Sequence, residues 1–152
     1  MTLRNKLKEL QLRQEMSLIS FVMSLMPEEQ LCLDCIKAIE QGGGDAVELG
    51  VAFSDPLADG PIIEKLHHQG IAMGLNLRRS LEFADKVKQV SAIPLILFTY
   101  FNPVYQMGLD LFRQECQSAG IEAVIVPDLI LEELQLRSHP DLEFIPMVAP
   151  SS

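Results

Sequence analysis

Five short apolar runs, Leu18–Met23, Ala46–Val51, Pro94–Tyr100, Ala123–Val126 and Phe144–Val148, alternate with stretches of helical spacing. No other feature constrains the chain as much, because strands separated by helices form βαβ units and a parallel sheet. The helical stretches begin with an amphipathic segment carrying Leu3, Leu7 and Leu10. Pro27–Gln41 follows, with Pro in its first turn and Glu28 and Glu29 beside it, as suits a helix N-terminus. Further helices are expected near Ile62–Met73, over Leu77–Val90, over Leu109–Ser118 with Gly120 ending it, and over Leu131–Arg137. There are no repeats and no low-complexity linker, so residues 1–152 are expected to form a single α/β domain.

Charge narrows the partners. The net charge is −9 and no block of basic residues occurs, which argues against nucleic acid or an acidic membrane surface. No apolar run approaches the roughly 18 residues needed to span a bilayer. The first residues, MTLRNKLKELQLRQEM, lack the apolar centre of a secretory signal. Three cysteines without export signals imply reduced thiols and a cytoplasmic home.

The second run ends in the densest cluster of candidate chemistry, ELGVAFSDPLADGP from Glu48 to Pro61. Side chains alternate along a strand, so Val47, Leu49 and Val51 face one way and Ala46 and Glu48 the other. The apolar set suits the helix-covered side, which points Glu48 into the interior of a barrel. An acid there is costly without partners or work, and burial raises its pKa toward a value useful for giving and taking a proton. Asp55 and Asp59 lie in the Pro- and Gly-punctuated loop that follows, and the interval to the third run is the longest in the chain. Loops after a strand's C-terminal end are where α/β barrels place function. On spacing alone a structural reading competes, with Glu48 a satisfied core acid and Asp59 a turn former beside Gly60.

Three segments, GGDAVELGVAFSDPLADGPII, LILFTYFNPVYQMG and AGIEAVIVPDLILEE, resemble the tryptophan synthase alpha subunit family, and the similarity covers almost the whole chain. The resemblance implies a (β/α)8 TIM barrel and the splitting of indole-3-glycerol phosphate into indole and glyceraldehyde 3-phosphate. It implies Glu48 as general acid/base and Asp59 as acceptor of the indole N–H. It also implies an indole pocket lined by Phe21, Phe98, Tyr100 and Ile125. Asp55, Pro56 and Asn102 fall at positions that in the family meet the beta subunit in an alpha2-beta2 assembly, and Asp128 matches an acid near the active-site mouth. Pyridoxal phosphate belongs to that beta partner, so no cofactor and no metal are expected here.

The sequence departs from the family pattern in places. Leu25-Met26 stands where a Gly-Asp turn is usual, a change expected to reshape that part of the mouth. Ala52 replaces a customary Pro. The chain closes on APSS, which reads as the exit of a fifth strand, against the eight strands and roughly 250 residues of a full barrel. The expected fold is therefore an incomplete barrel of about five strands. Two functional expectations follow: a lyase, or a truncated, inactive remnant that at most binds the beta subunit. A different phosphosugar barrel enzyme is a third, disfavoured by the Glu48–Asp59 context.

Other motifs carry less. Cys32 and Cys35 have redox-pair spacing but sit among Leu31, Leu33 and Ile36, away from a helix N-terminus. Glu64, His67 and His68 share a helical face without the order of a zinc-protease motif, and read as a solvated face. Gly42-Gly43-Gly44 follows a helix and precedes a strand, the reverse of a phosphate loop, and reads as a helix cap.

Overall fold

The computed structural model describes residues 2–129 and 142–147. Within them the chain runs α1 (Leu3–Arg13), β1 (Ile19–Met23), α2 (Glu29–Gln41), β2 (Ala46–Gly50), α3 (Pro61–Ala72), α4 (Leu77–Val90), β3 (Leu95–Phe98), α5 (Phe101–Met107), α6 (Leu109–Ser118), β4 (Ile121–Ile125) and β5 (Glu143–Ile145). All strand pairs are parallel and the spatial order is the chain order, β1 to β5. An order that never reverses has no topological switch point, which separates this sheet from a doubly wound one.

Two apolar clusters follow from the pleat. Val47, Leu49, Val51, Leu95, Leu97 and Val124 pack with α2, α4 and α6 in the larger cluster. Ala46, Ile96, Ala123 and Ile125 turn to the other side, with Ile19, Phe98 and Ile145 against them. The alternation read from the second run is therefore the one the sheet adopts. A register shift beside Leu95 and Ile96 sets Ala123 opposite Ile96 and Ile125 opposite Phe98.

Helix α1 closes one end of the interior. Leu3 is buried in the inner cluster and Leu7 packs on it. The Leu3 N–H donates to Glu122 Oε2, Lys6 pairs with Asp45, and Arg4 pairs with Glu143. These acids lie at the N-terminal ends of β4, β2 and β5, so α1 plugs that end and leaves the strands' C-terminal end for the loops. Thr2 caps the helix by accepting from the Asn5 N–H.

The structure revises several expected boundaries. Pro27 stands before α2 rather than in its first turn, Glu28 is the N-cap, and only Glu29 lies in the first turn. Helix α3 runs from Pro61 to Ala72, one residue earlier at each end than expected. Helix α5 was not anticipated; its Pro103 lies within the first turn, where a proline sacrifices no intrahelical hydrogen bond. The short helix expected over Leu131–Arg137, and Val148 of the last run, lie outside the described residues. Gly42, Gly43 and Gly44 close α2 as a cap, their N–H groups donating to the Ala38, Glu40 and Ile39 carbonyls.

Candidate active site

Glu48 occupies the centre of β2, paired in register with Phe21 on β1 and Ile96 on β3. It is the half-buried position in a strand whose other four residues are buried. Among the described residues nothing hydrogen-bonds or ion-pairs with its carboxyl. Burial pushes its pKa above the ordinary carboxylate value, and no neighbouring charge opposes the shift. An interior acid biased toward its protonated form is equipped to donate a proton and later recover one.

Beside it lies an aromatic wall. Phe21 meets Phe98 edge-to-face at 5.9 Å, with the ring planes at 88°. The Phe21 ring lies over Gly50, where a built Cβ would stand 2.5 Å from its Cζ. The missing side chain on β2 is what gives the ring its seat. Ile125 adjoins Phe98 across the β3–β4 pairing and is buried.

Asp59 arrives from the loop between β2 and α3. Its Oδ2 accepts the Tyr100 hydroxyl at 2.7 Å, and that hydroxyl in turn accepts the Ala58 N–H at 3.0 Å. Tyr100 is 1% exposed, and Phe53 stacks on its ring at 5.1 Å. Burial, then the Asp59 hydrogen bond, push the phenol well above its ordinary pKa, so it stays a donor throughout the physiological range. Tyr100 is thus tied directly to Asp59, and the loop is pinned to the exit of β3 through a polar contact. No hydrogen bond links Glu48 to Asp59 among the described residues.

Of the remaining expected residues, Asp55 is exposed and accepts from its neighbour Ser54, whereas Pro56 is buried. Asn102 is exposed in the first turn of α5. Leu57, between Pro56 and Asp59, is 90% exposed. Asp128 has a structural task at the same end of the sheet, its Oδ1 accepting the Phe101 N–H that opens α5 at 2.8 Å.

The structure brings in one residue assigned above to a solvated face. His67 is buried, with Nε2 3.2 Å from Asp59 Oδ2, and its Nδ1 accepts the Phe53 N–H at 3.1 Å. His68 remains outside and faces Glu64. Among the described residues no group of His, Cys, Asp and Glu is disposed to hold a metal.

The family model described as "Tryptophan synthase alpha chain" matches residues 7–152. The chain belongs to the tryptophan synthase alpha chain family. A curated tryptophan synthase alpha chain from Syntrophomonas wolfei is 57% identical over 152 residues, covering 100% of this chain and 59% of its own length. The relative from Alkaliphilus metalliredigens is 37% identical, with 97% and 57% covered. The chain therefore spans a little over half the length of these curated relatives. Among solved structures, the tryptophan synthase subunit alpha of Legionella pneumophila superposes with a TM-score of 0.83 at 29% identity, over 89% of this chain and 52% of that one. A tryptophan synthase structure from M. tuberculosis gives 0.80 at 28%, covering 88% and 54%. The five parallel strands are accordingly part of the TIM barrel of tryptophan synthase alpha chains. Within that barrel, Glu48 sits inside β2 and Asp59 in the loop leaving its C-terminal end.

Proposed function

We propose that the chain carries the lyase site of tryptophan biosynthesis, for retro-aldol cleavage of indole-3-glycerol phosphate to indole and glyceraldehyde 3-phosphate. The observation that supports it most is the contrast between two acids at one sheet end. Glu48 is desolvated, unpartnered and biased toward its protonated form. Asp59 is anchored through Oδ2. Glu48 donates its proton to the ring carbon bearing the glycerol chain, leaving a positive charge on the indole nucleus. The Asp59 carboxylate accepts the ring N–H and stabilises that charge where it develops. The Glu48 carboxylate then takes the proton of the neighbouring hydroxyl. As the carbon–carbon bond breaks, its electron pair returns to the ring and the carbonyl of the aldehyde forms. Phe21, Phe98, Tyr100 and Ile125 supply the apolar surround for the indole. Asp55, Pro56 and Asn102 serve contact with a beta subunit, as an alpha2-beta2 assembly in the cytoplasm. The reaction needs no cofactor on this chain, pyridoxal phosphate being the partner's.

The exposure of Asp55 and Asn102 favours a second reading. On that reading it binds the beta subunit without cleaving substrate. The test is indole release from indole-3-glycerol phosphate by the purified chain, with and without beta subunit, against Glu48→Ala. Release that disappears in the variant supports the lyase. Absence of release together with retained beta binding supports the second reading and overturns the first.

A further inference from the structure

Sequence spacing groups Glu64, His67 and His68, but the fold separates them. The His68 imidazole is exposed with Nε2 3.6 Å from Glu64 Oε1, whereas His67 is 1% exposed. Its surroundings determine where its proton sits. The Phe53 N–H donates to Nδ1, so Nδ1 presents a lone pair and the proton of the neutral ring is on Nε2. Nε2 lies 3.2 Å from Asp59 Oδ2, approaches too obliquely for a regular hydrogen bond, and has no other partner among the described residues. A buried N–H that meets nothing else is unfavourable, so a small turn of the ring toward Asp59 is the adjustment the described residues offer.

The same oxygen already receives the Tyr100 hydroxyl. Two protein groups therefore converge on Oδ2, while Oδ1 has no partner among the described residues and the Asp59 side chain keeps 12% exposure. We infer that His67 is a positioning residue for Asp59: its Nε2–H and the Tyr100 hydroxyl together fix Oδ2, so that Oδ1 is presented to the nitrogen of the bound indole. This inference deepens the reading proposed above and rests on it.

The charge state fits the role. Burial lowers the His67 pKa, Asp59 opposes that shift, and His68 on the same helix reinforces it. Tyr100, the other titratable group against the ring, stays protonated. A neutral imidazole orients Asp59 without cancelling its charge. A protonated one would place a cation beside the anion that has to stabilise the indole nucleus. Acid that protonates His67 should therefore weaken indole binding.

The test separates this pairing from the proposed activity. Nitrogen NMR of the full chain labelled at histidine reads the tautomer and titration of His67 without any turnover. The expected result is an Nε2–H tautomer whose titration midpoint falls further in Asp59→Asn, where the opposing charge is gone. An Nδ1–H tautomer, or a midpoint indifferent to Asp59→Asn, would overturn the inference. In parallel, indole affinity should fall about tenfold in His67→Phe. In His67→Asn it should stay within about threefold of wild type, because the amide can both accept from Phe53 and donate to Asp59. Equal losses in the two variants would also overturn it. Wild-type chain that shows both NMR signs but binds no indole would sink the proposed function and leave the His67–Asp59 pairing supported.

Discussion

Replacing Tyr100 by Phe removes one oxygen and leaves the ring, and the structure allows the consequence to be worked out. The lost hydroxyl donates to Asp59 Oδ2 at 2.7 Å and accepts from Ala58 N at 3.0 Å. A hydrogen bond to a charged group contributes about 1.5–3 kcal/mol, whereas the N–H of exposed Ala58 can turn to water at little cost. The stack on Phe53 survives because the ring is unchanged. The expected destabilisation is therefore about 2 kcal/mol, a Tm drop of roughly 4–8 °C for a domain of this size. The loss should be concentrated in the Asp59 loop. Amide exchange at Ala58 should accelerate by at least about tenfold while the amides of β2 and β3 follow only the global change. Adding Asp59→Asn tests the cause, since much of the effect should vanish once the charge is gone. A Tm within about 1 °C of wild type, with Ala58 exchange unchanged, would show that the phenol is a pocket wall and not the anchor of the loop.

Three further substitutions probe the rest of the site. Glu48→Gln should abolish indole release yet stabilise the fold by about 0.5–2 kcal/mol near pH 7, because it removes a desolvated, unpartnered charge. The folded pKa of Glu48 is raised, so its penalty is full above that folded value and fades as pH falls through it toward about 4.3. Melting curves of both proteins should converge over that window, and a constant difference would contradict the assignment. Gly50→Ala sets a Cβ 2.5 Å from Phe21 Cζ and 3.3 Å from Met23 Sδ, forcing the ring off its seat for about 1–3 kcal/mol. An unaltered Tm would mean the ring moves freely. Leu25→Gly relieves a positive φ of 65° but strips a buried side chain from the outer cluster. Relief of about 1 kcal/mol against a burial loss of about 2–3 kcal/mol predicts a lower urea midpoint, and a higher one would show that strain dominates.

What the sequence disclosed depended on whether the controlling contact was local. The two faces of β2 follow from period-two alternation alone, so Glu48 could be set inside before any fold was known. The bounds of α4 match those expected because its cap is local: Asn76 accepts from the Arg79 N–H three residues on. Helix α5 was hidden because its N-terminus is completed from a distance, by Asp128 on the turn after β4, and Asn-Pro in isolation signals a turn. His67 was hidden for the same reason. Its spacing from Glu64 and His68 marks a helix face, but which side of α3 is buried depends on Phe53 and Asp59, and neither belongs to the helix. A partial signal did exist, for His67 and Gly70 are one turn apart and both are buried.

That Gly70 also sets how closely α3 approaches the exit of β2. A Cβ built on Gly70 would stand 2.8 Å from the Ala52 Cβ, so α3 and the exit of β2 touch almost backbone to backbone. Two small residues permit this approach, and a side chain on either would hold the helix away. His67 lies one turn earlier on the same face, and Phe53 lies one residue past Ala52, so the close approach is what brings Nδ1 within 3.1 Å of the Phe53 N–H. The orientation of Asp59 is thus settled by packing on the outer side of the sheet, where helix meets loop, as well as by groups at the barrel mouth. The small side chain of Ala52 and a buried histidine at position 67 are then parts of one arrangement. Their effects on Asp59 should couple, because each depends on the distance between α3 and β2 that the other requires.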